Sequence, residues 1–362
     1  MAANQRGPSS PPATGLRPLR VVAIGGGTGL SAILQGLKHF TVRPGELTAT
    51  PPCISELSAI VTVGDDGGSS GRLRKEFNMP PPGDIRSCLV ALSEDEALLS
   101  RLFQHRFEKG SGLEGHSFGN LFLAALTAVT GDFTDAVHQS SEILAIRGRI
   151  FPATTSHVEL EAEMADGTRV RGETRITASS GRIVKLVLVP PDVQPLPQTL
   201  EAIAHADLIT IGPGSLFTSL IPNLLVHGIP EAIVASPGIK VYICNLMTQA
   251  NESLGLTAAD HIRALHEHAQ RPIFDFALIN RKNASNEVKA RYALEGASQI
   301  VADLDAVESL GVRPILGDYL VEGEKARHAN DQVAHDLIHL TQIAISQGKA
   351  GITPMADCSL MP

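Results

Sequence analysis

The sequence predicts an α/β protein organised on a doubly wound, mostly parallel sheet that carries a small antiparallel β insertion. Three observations lead to that class. Apolar runs of strand length end in glycine-rich turns at Gly25–Gly29, Gly64–Gly68 and Gly212–Gly214. Helix-like apolar spacing follows the first turn at Leu30, Ile33, Leu34 and Leu37, so strand, turn and helix alternate along the chain. Between about residues 147 and 190 the apolar period drops to two.

Val21 to Ile24 is the first core strand, and Gly25-Gly26-Gly27-Thr28-Gly29 after it has a phosphate-binding layout. Glycine lets the backbone come close to an anion while the N–H groups and dipole of the next helix point at it. Ala59 to Val63 is a second strand, leading into Gly64-Asp65-Asp66-Gly67-Gly68. Pro81-Pro82-Gly83-Asp84-Ile85-Arg86 opens a helix with apolar positions Ile85, Cys88, Leu89 and Leu92, and Asp84 is placed to cap it. Gly115-His116-Ser117-Phe118-Gly119-Asn120 precedes the apolar helix from Leu121, with Ser117 available as a cap. In the insertion, Val158, Leu160, Ala162 and Met164 alternate with polar residues. Asp166-Gly167 turns the chain, Val170, Gly172, Thr174 and Ile176 read as the returning strand, and Ile183 to Val189 as a third. Leu200, Ile203 and Ala204 then mark a helix, Leu208 to Ile211, Val241 to Cys244 and Phe274 to Ile279 mark strands, and Val333, Leu337 and Ile338 a closing helix. Ligands of such sheets gather at the carboxyl ends of the strands, so the three glycine loops are expected to meet in one crevice.

The length of 362 residues and 43% apolar content suffice for a full core. Residues 1–19 are expected to be a disordered, proline-rich tail, 20–345 the nucleotide-binding domain, and 346–362 a flexible C-terminal tail. A net charge of −8, three tyrosines and no tryptophan argue against a nucleic-acid surface. Cys53, Cys88, Cys244 and Cys358 form no C-x-x-C and fit a reducing cytoplasm. No apolar core of signal-peptide length precedes Gly25, and Leu121 to Val129 is too short to span a bilayer, so a soluble protein without a membrane span is expected. His261, His266 and His268 lie in a polar helical stretch without an H-E-x-x-H pattern and are expected at the surface.

Chemistry concentrates in the loops. Asp65 and Asp66 directly follow a core strand, where adjacent carboxylates suit a divalent cation shared with substrate phosphates, or an Asx turn. Arg72 and Arg74 are placed to meet phosphate oxygens or those carboxylates. Arg86 sits in the first turn of its helix, where the dipole disfavours a cation and a bound anion would explain it. His116 suits acid, base or phosphate-donor work, and Asn120 the recognition of a base or sugar hydroxyl. Gly212, Gly214 and Ser215 form a second anion-type turn, and Asn245 after the next strand adds an amide.

Taken in order, Gly25 to Gly29, Asp65 to Arg74, Pro81 to Arg86, His116 to Asn120, Gly212 to Leu220 and Asn245 to Gln249 resemble the gluconeogenesis factor family, whose relatives include 2-phospho-L-lactate transferase. The resemblance runs from about Arg20 to the last helix. It implies a Rossmann-like fold and a cytoplasmic bacterial protein that binds UDP-linked sugars and is linked to carbon metabolism and cell-shape maintenance. Under that reading Gly25, Gly26, Gly27, Thr28, Gly29, Gly212, Gly214 and Ser215 hold the diphosphate, Asn120 and Asn245 position sugar or base, and Arg327, from an Arg-His pair before the final helix, contacts phosphate. A regulatory protein and a second copy of the chain are the candidate macromolecular partners. The transferase relatives imply the alternative: Asp65 and Asp66 hold a magnesium ion, His116 is the acid or base, and Arg72 and Arg86 stabilise charge. Two departures from the family pattern are Gly64 in place of alanine and Ala250-Asn251-Glu252-Ser253 in place of Pro-Gly-Glu-Thr. The glycine spacing departs from the dinucleotide fingerprint, which disfavours an NAD-dependent oxidoreductase.

Overall fold

The computed structural model describes residues 18–41, 53–94 and 97–347. Most of the two expected tails, with Cys358, lies outside them. The strands are β1 (Leu19–Gly25), β2 (Ile54–Val61), β3 (Arg149–Pro152), β4 (Glu159–Met164), β5 (Arg169–Arg171), β6 (Ile183–Val189), β7 (Leu208–Ile211), β8 (Ile239–Ile243), β9 (Phe276–Asn280), β10 (Arg313–Gly317), β11 (Leu320–Val321) and β12 (Arg327–His328). Seven of them form one parallel sheet in the order β10-β9-β8-β7-β1-β2-β3. The chain builds outward from β1 to β2 and β3, then returns to the other side of β1 and continues through β7 to β10. The switch point therefore lies between the carboxyl ends of β1 and β7, the place where such sheets bind ligands.

β1 is buried at nearly every position because it has a strand on each side and helices on both faces. Its side chains alternate between two cores. Val21 and Ala23 pack with α1 (Gly27–Lys38), α3 (Gly83–Leu92), α5 (Phe118–Thr130) and α6 (Phe133–Ile143), while Val22 and Ile24 face the insertion and the helices that follow it. On the first face α1 turns Leu30, Ile33, Leu34 and Leu37 inward at helical spacing. The closing helix, Asn330–Gln347, lies against α1 where Gly36 has no side chain. A Cβ there would stand 2.4 Å from the Asn330 carbonyl oxygen.

The insertion is a three-stranded antiparallel sheet in the order β5-β4-β6. Within the 147–190 segment, Arg149–Pro152 belongs to the parallel sheet, where β3 pairs with β2. The returning strand expected through Ile176 is shorter than its sequence pattern. β5 stops at Arg171, and Glu173–Ala178 forms a short helix, α7 in chain order after α2 (Gly68–Phe77) and α4 (Ala97–Gln104). Gly172, at φ +95°, breaks the strand, and Asp66 from a distant loop accepts from both the backbone N–H and hydroxyl of Thr174, stabilising the first turn of α7.

The histidines on Ala258–Ala269 also differ from expectation. His261 is fully buried and its Nδ1 meets the Thr257 carbonyl, because the helix turns that side toward the core beside Ile262 and Leu265. His268 uses Nδ1 for the Ala264 carbonyl, so Nε2 is free to accept from the Leu186 N–H of β6 and tie the insertion to the main domain. Cys88 and Cys244 are buried thiols. No single helix among the described residues is long and apolar enough to cross a membrane.

Gly36→Ala is expected to destabilise the fold. Crowding a backbone carbonyl costs about 1–3 kcal/mol, more than the roughly 1 kcal/mol that alanine gains in a helix. A lower urea midpoint with an unchanged slope is the expected result, and an unchanged midpoint would show that the two helices separate freely.

Candidate functional site

The crevice starts where β1 runs out. Gly26 is extended, Gly27 takes φ +61°, and α1 begins at once. Bare backbone at two of these positions is a packing requirement. A Cβ on Gly26 would stand 2.4 Å from Thr62 Cγ2 and 2.7 Å from Asp84 Oδ2, and one on Gly29 would stand 2.2 Å from the Pro213 carbonyl oxygen. The β1, β2, α3 and β7 loops thus touch at the switch point, as the glycine turns predict.

Three helices open onto this crevice, and none has a side-chain cap: α1 follows Gly26, α2 follows Gly67 and α3 follows Pro82. Four other helices carry ordinary side-chain caps, Ser117, Asp132, Thr257 and Ser285. Asp84 is therefore not the cap of its own helix, because it lies one residue inside it. Its carboxylate instead faces the Gly27 backbone, and it is pushed up to about 6 by burial and by Asp65, against the lowering effects of Gly27 and Arg86.

Asp65 and Asp66 diverge. Asp65 Oδ1 accepts from the Gly67 N–H at 2.8 Å in an Asx turn, and its side chain lies beside Gly83. Asp66 is committed to Thr174 of α7. The partner of Asp65 is Glu173, which the insertion delivers and which the alternating pattern of its sequence concealed. Burial raises Glu173 to about 8, with Asp65 adding repulsion and a hydrogen bond that the protonated acid donates.

The second glycine loop is already filled from within. Asn245 clamps Gly214 in both directions, its Oδ1 accepting from the N–H at 3.0 Å and its Nδ2 donating to the carbonyl at 2.7 Å. Glu252 Oε1 accepts from the N–H groups of Phe217 and Thr218 at 2.8 and 2.9 Å, at the start of a π-helical turn, Leu216–Leu220. A resident carboxylate thus occupies the amides that the sequence offers to an anion. Gln249 Nε2 donates to Ser215 Oγ at 3.0 Å, and Ser219 Oγ lies near Gly27. Glu252 lies among residues that depart from the family pattern, but nothing local shows that it reaches a loop 35 residues earlier.

Behind α2 a polar cluster links three elements. Ser69 Oγ lies 2.9 Å from His116 Nδ1 and accepts from Asn120 Nδ2 at 3.1 Å, while Ser117 caps α5. Burial and the neighbouring Arg72 lower the pKa of His116. Arg72 donates to the Glu114 carbonyl, and Arg74 to that of Val158. Arg86 lies in α3, two residues beyond Asp84. Arg327 is exposed on the ribbon formed by β11 and β12, whose His328 Nε2 donates to the Cys244 carbonyl at the end of β8.

Fold and loops together define a Rossmann-like α/β protein with glycine-rich, phosphate-type turns at its switch point. Residues 21–320 match the family model for 2-phospho-L-lactate transferase CofD. The chain belongs to this family, among the proteins named gluconeogenesis factor. It is 49% identical over 320 residues to the gluconeogenesis factor of Halalkalibacterium halodurans, covering 88% of this chain and 95% of that one. It is 46% identical over 323 residues to that of Bacillus subtilis, covering 89% and 98%. A crystal structure from Bacillus halodurans superposes with a TM-score of 0.84 at 48% identity, over 89% of this chain and 100% of the other.

The raised carboxyls fix the sign of a pH effect. A carboxyl whose folded pKa lies above its ordinary value favours the folded state while protonated, so the contribution of Glu173 is complete below about 4.5 and is lost as pH rises through about 8. Glu173→Gln should flatten the fall in urea-unfolding stability between those values. A slope equal to that of the unaltered protein would remove Glu173 from the cause.

Proposed function

We propose that the crevice binds a nucleotide-diphosphate sugar of the UDP-linked class, and that the protein is a cytoplasmic regulator that reports ligand to a protein partner. The observation that carries this reading is the meeting of three helix N-termini without side-chain caps at the switch point. Orphan N–H groups and aligned dipoles there favour an extended anion such as a diphosphate. In this reading Gly25 to Gly29 hold the diphosphate, and Ser215 offers a hydroxyl. Gly212, Gly214 and Asn245 set the wall of the crevice, and Arg327, exposed on the ribbon beside β8, is the phosphate contact. A ligand acts on the partner only by binding two conformations unequally, and the insertion, joined to the crevice through Asp66 and Glu173, is the element placed to differ between them. The family's names support a role in carbon metabolism, and cell-shape maintenance belongs to the same proposal.

Magnesium-dependent transfer of a phospholactyl-type group is the second reading, and the crowding of Asp65, Asp84 and Glu173 favours it. Carboxyls crowded in this way are suitable oxygen donors, and magnesium needs only one or two of them beside substrate phosphates. Among the described residues no three such groups converge as a complete metal centre. Asp65 and Glu173 are the pair that would hold the ion, which would neutralise phosphate charge. Asp66, bound to Thr174, stands outside that set.

Isothermal titration with UDP-N-acetylglucosamine, with and without magnesium, tests both readings. Saturable binding of a ligand recovered intact supports the regulator, and Gly27→Val should abolish it while far-UV circular dichroism stays native. Magnesium-dependent consumption of ligand supports the transferase instead, and Asp65→Asn should then lower turnover far more than affinity. Unchanged affinity in folded Gly27→Val would take this loop out of the site.

A further inference from the structure

We infer that the start of α5 carries a separate subsite for a phosphate group, formed by Arg72, Arg86, Arg106 and the loop from His116 to Asn120. Three guanidinium groups surround that loop. Arg72 donates to the Glu114 carbonyl at 2.7 Å and Arg106 to the Gly115 carbonyl, so both hold the turn just before His116. Arg86 packs against Gly119 so closely that a Cβ there would stand 2.8 Å from its Cγ.

These cations repel one another. Burial and then Arg106 oppose the charge on Arg86, and burial, Arg72 and Arg106 oppose a charge on His116. Among the described residues none of the three arginines forms an ion pair with a carboxylate, although the chain pairs arginines in this way elsewhere, as at Arg147–Glu94 and Arg271–Glu231. Asp84 offsets part of the charge on Arg86 and Glu76 part of that on His116, and an oxyanion offsets the remainder.

Two unpartnered atoms define the ligand further. Arg86 Nε is buried without an acceptor, and Asn120 Oδ1 is buried without a donor, on a side chain only 3% exposed. Asn120 already uses its Nδ2 on Ser69. An anion that also carries a proton satisfies both, because its charged oxygens accept from the arginines and its O–H donates to Asn120 Oδ1. Inorganic phosphate keeps such a proton at neutral pH, whereas sulfate has none and a phosphomonoester, with a second pKa of about 6, has mostly lost it. The subsite lies behind the Ser69–Ser70 wall from Asp65 and stands whether or not the glycine crevice takes a nucleotide.

The test is titration of the full chain with inorganic phosphate and with sulfate. One saturable phosphate site is expected, with sulfate distinctly weaker. Arg86→Gln and Arg106→Gln should each weaken phosphate about tenfold, the scale of one charge-assisted hydrogen bond, while Arg169→Gln, an equal charge change on β5, leaves it unaltered. Arg106 is exposed, so its variant carries the test if Arg86→Gln fails to fold. Displacement of phosphate by glycerol 3-phosphate assigns the subsite to a monoester, and failure to displace assigns it to the free ion. Absence of a saturable site, equal affinity for sulfate, or wild-type affinity in a folded arginine variant overturns the proposal. No phosphate binding by the unaltered protein, with UDP-N-acetylglucosamine binding intact, would count against this subsite alone.

Discussion

Backbone meets backbone where Gly29 of α1 passes the Pro213 carbonyl, and the rest of the crevice depends on that contact. The two strands on either side of the switch point send their loops to opposite faces of the sheet, so their ends part unless something draws them together. The absence of a side chain at Gly29 allows the approach. Asn223, whose Nδ2 lies 3.3 Å from the Gly25 carbonyl, ties the later element back to β1. Asn245 and Glu252 then fix the second loop by satisfying its amides internally. A loop held in this way is preorganised, and binding does not have to order it.

The electrostatics divide around α2 and α3. On the side of the glycine turns, Asp65, Asp84 and Glu173 crowd together, and burial raises the pKa of Asp84 and Glu173. On the side of α5, Arg72, Arg86 and Arg106 crowd together beside His116. Asp84 and Arg86 are two residues apart on one helix and face these two surroundings, so a single turn of α3 marks the boundary between them.

Most of the fold was legible because its signals are local. Glycine turns after apolar strands, the helical spacing from Leu30 to Leu37 and the change of period in the insertion all occur within a few residues of one another. The meeting of the loops followed from the general behaviour of parallel sheets. What escaped the sequence depends on tertiary partners. Thr174 and Ile176 continue an alternating pattern, but Gly172 breaks the strand and Asp66, 108 residues away from Thr174, stabilises the helix that follows. His261 reads as polar, but its helix turns it inward. Asp84 has the residue type and position of a cap, yet the crevice claims its carboxylate. Glu173 and Glu252 look like ordinary surface acids until the fold buries them beside amides or other carboxylates.

The use of Asp66 as a cap for α7 has a consequence for how the protein folds. A six-residue helix lies far below the length at which helices persist alone in water, so α7 has no independent existence. It forms only after the β2 loop has reached its final place, and that loop in turn belongs to the crevice. The antiparallel insertion therefore cannot behave as a detachable module that folds first and docks later. Its amide protection rises and falls with the integrity of the nucleotide-type fold beneath it, making one cooperative unit of two sheets that share no strand.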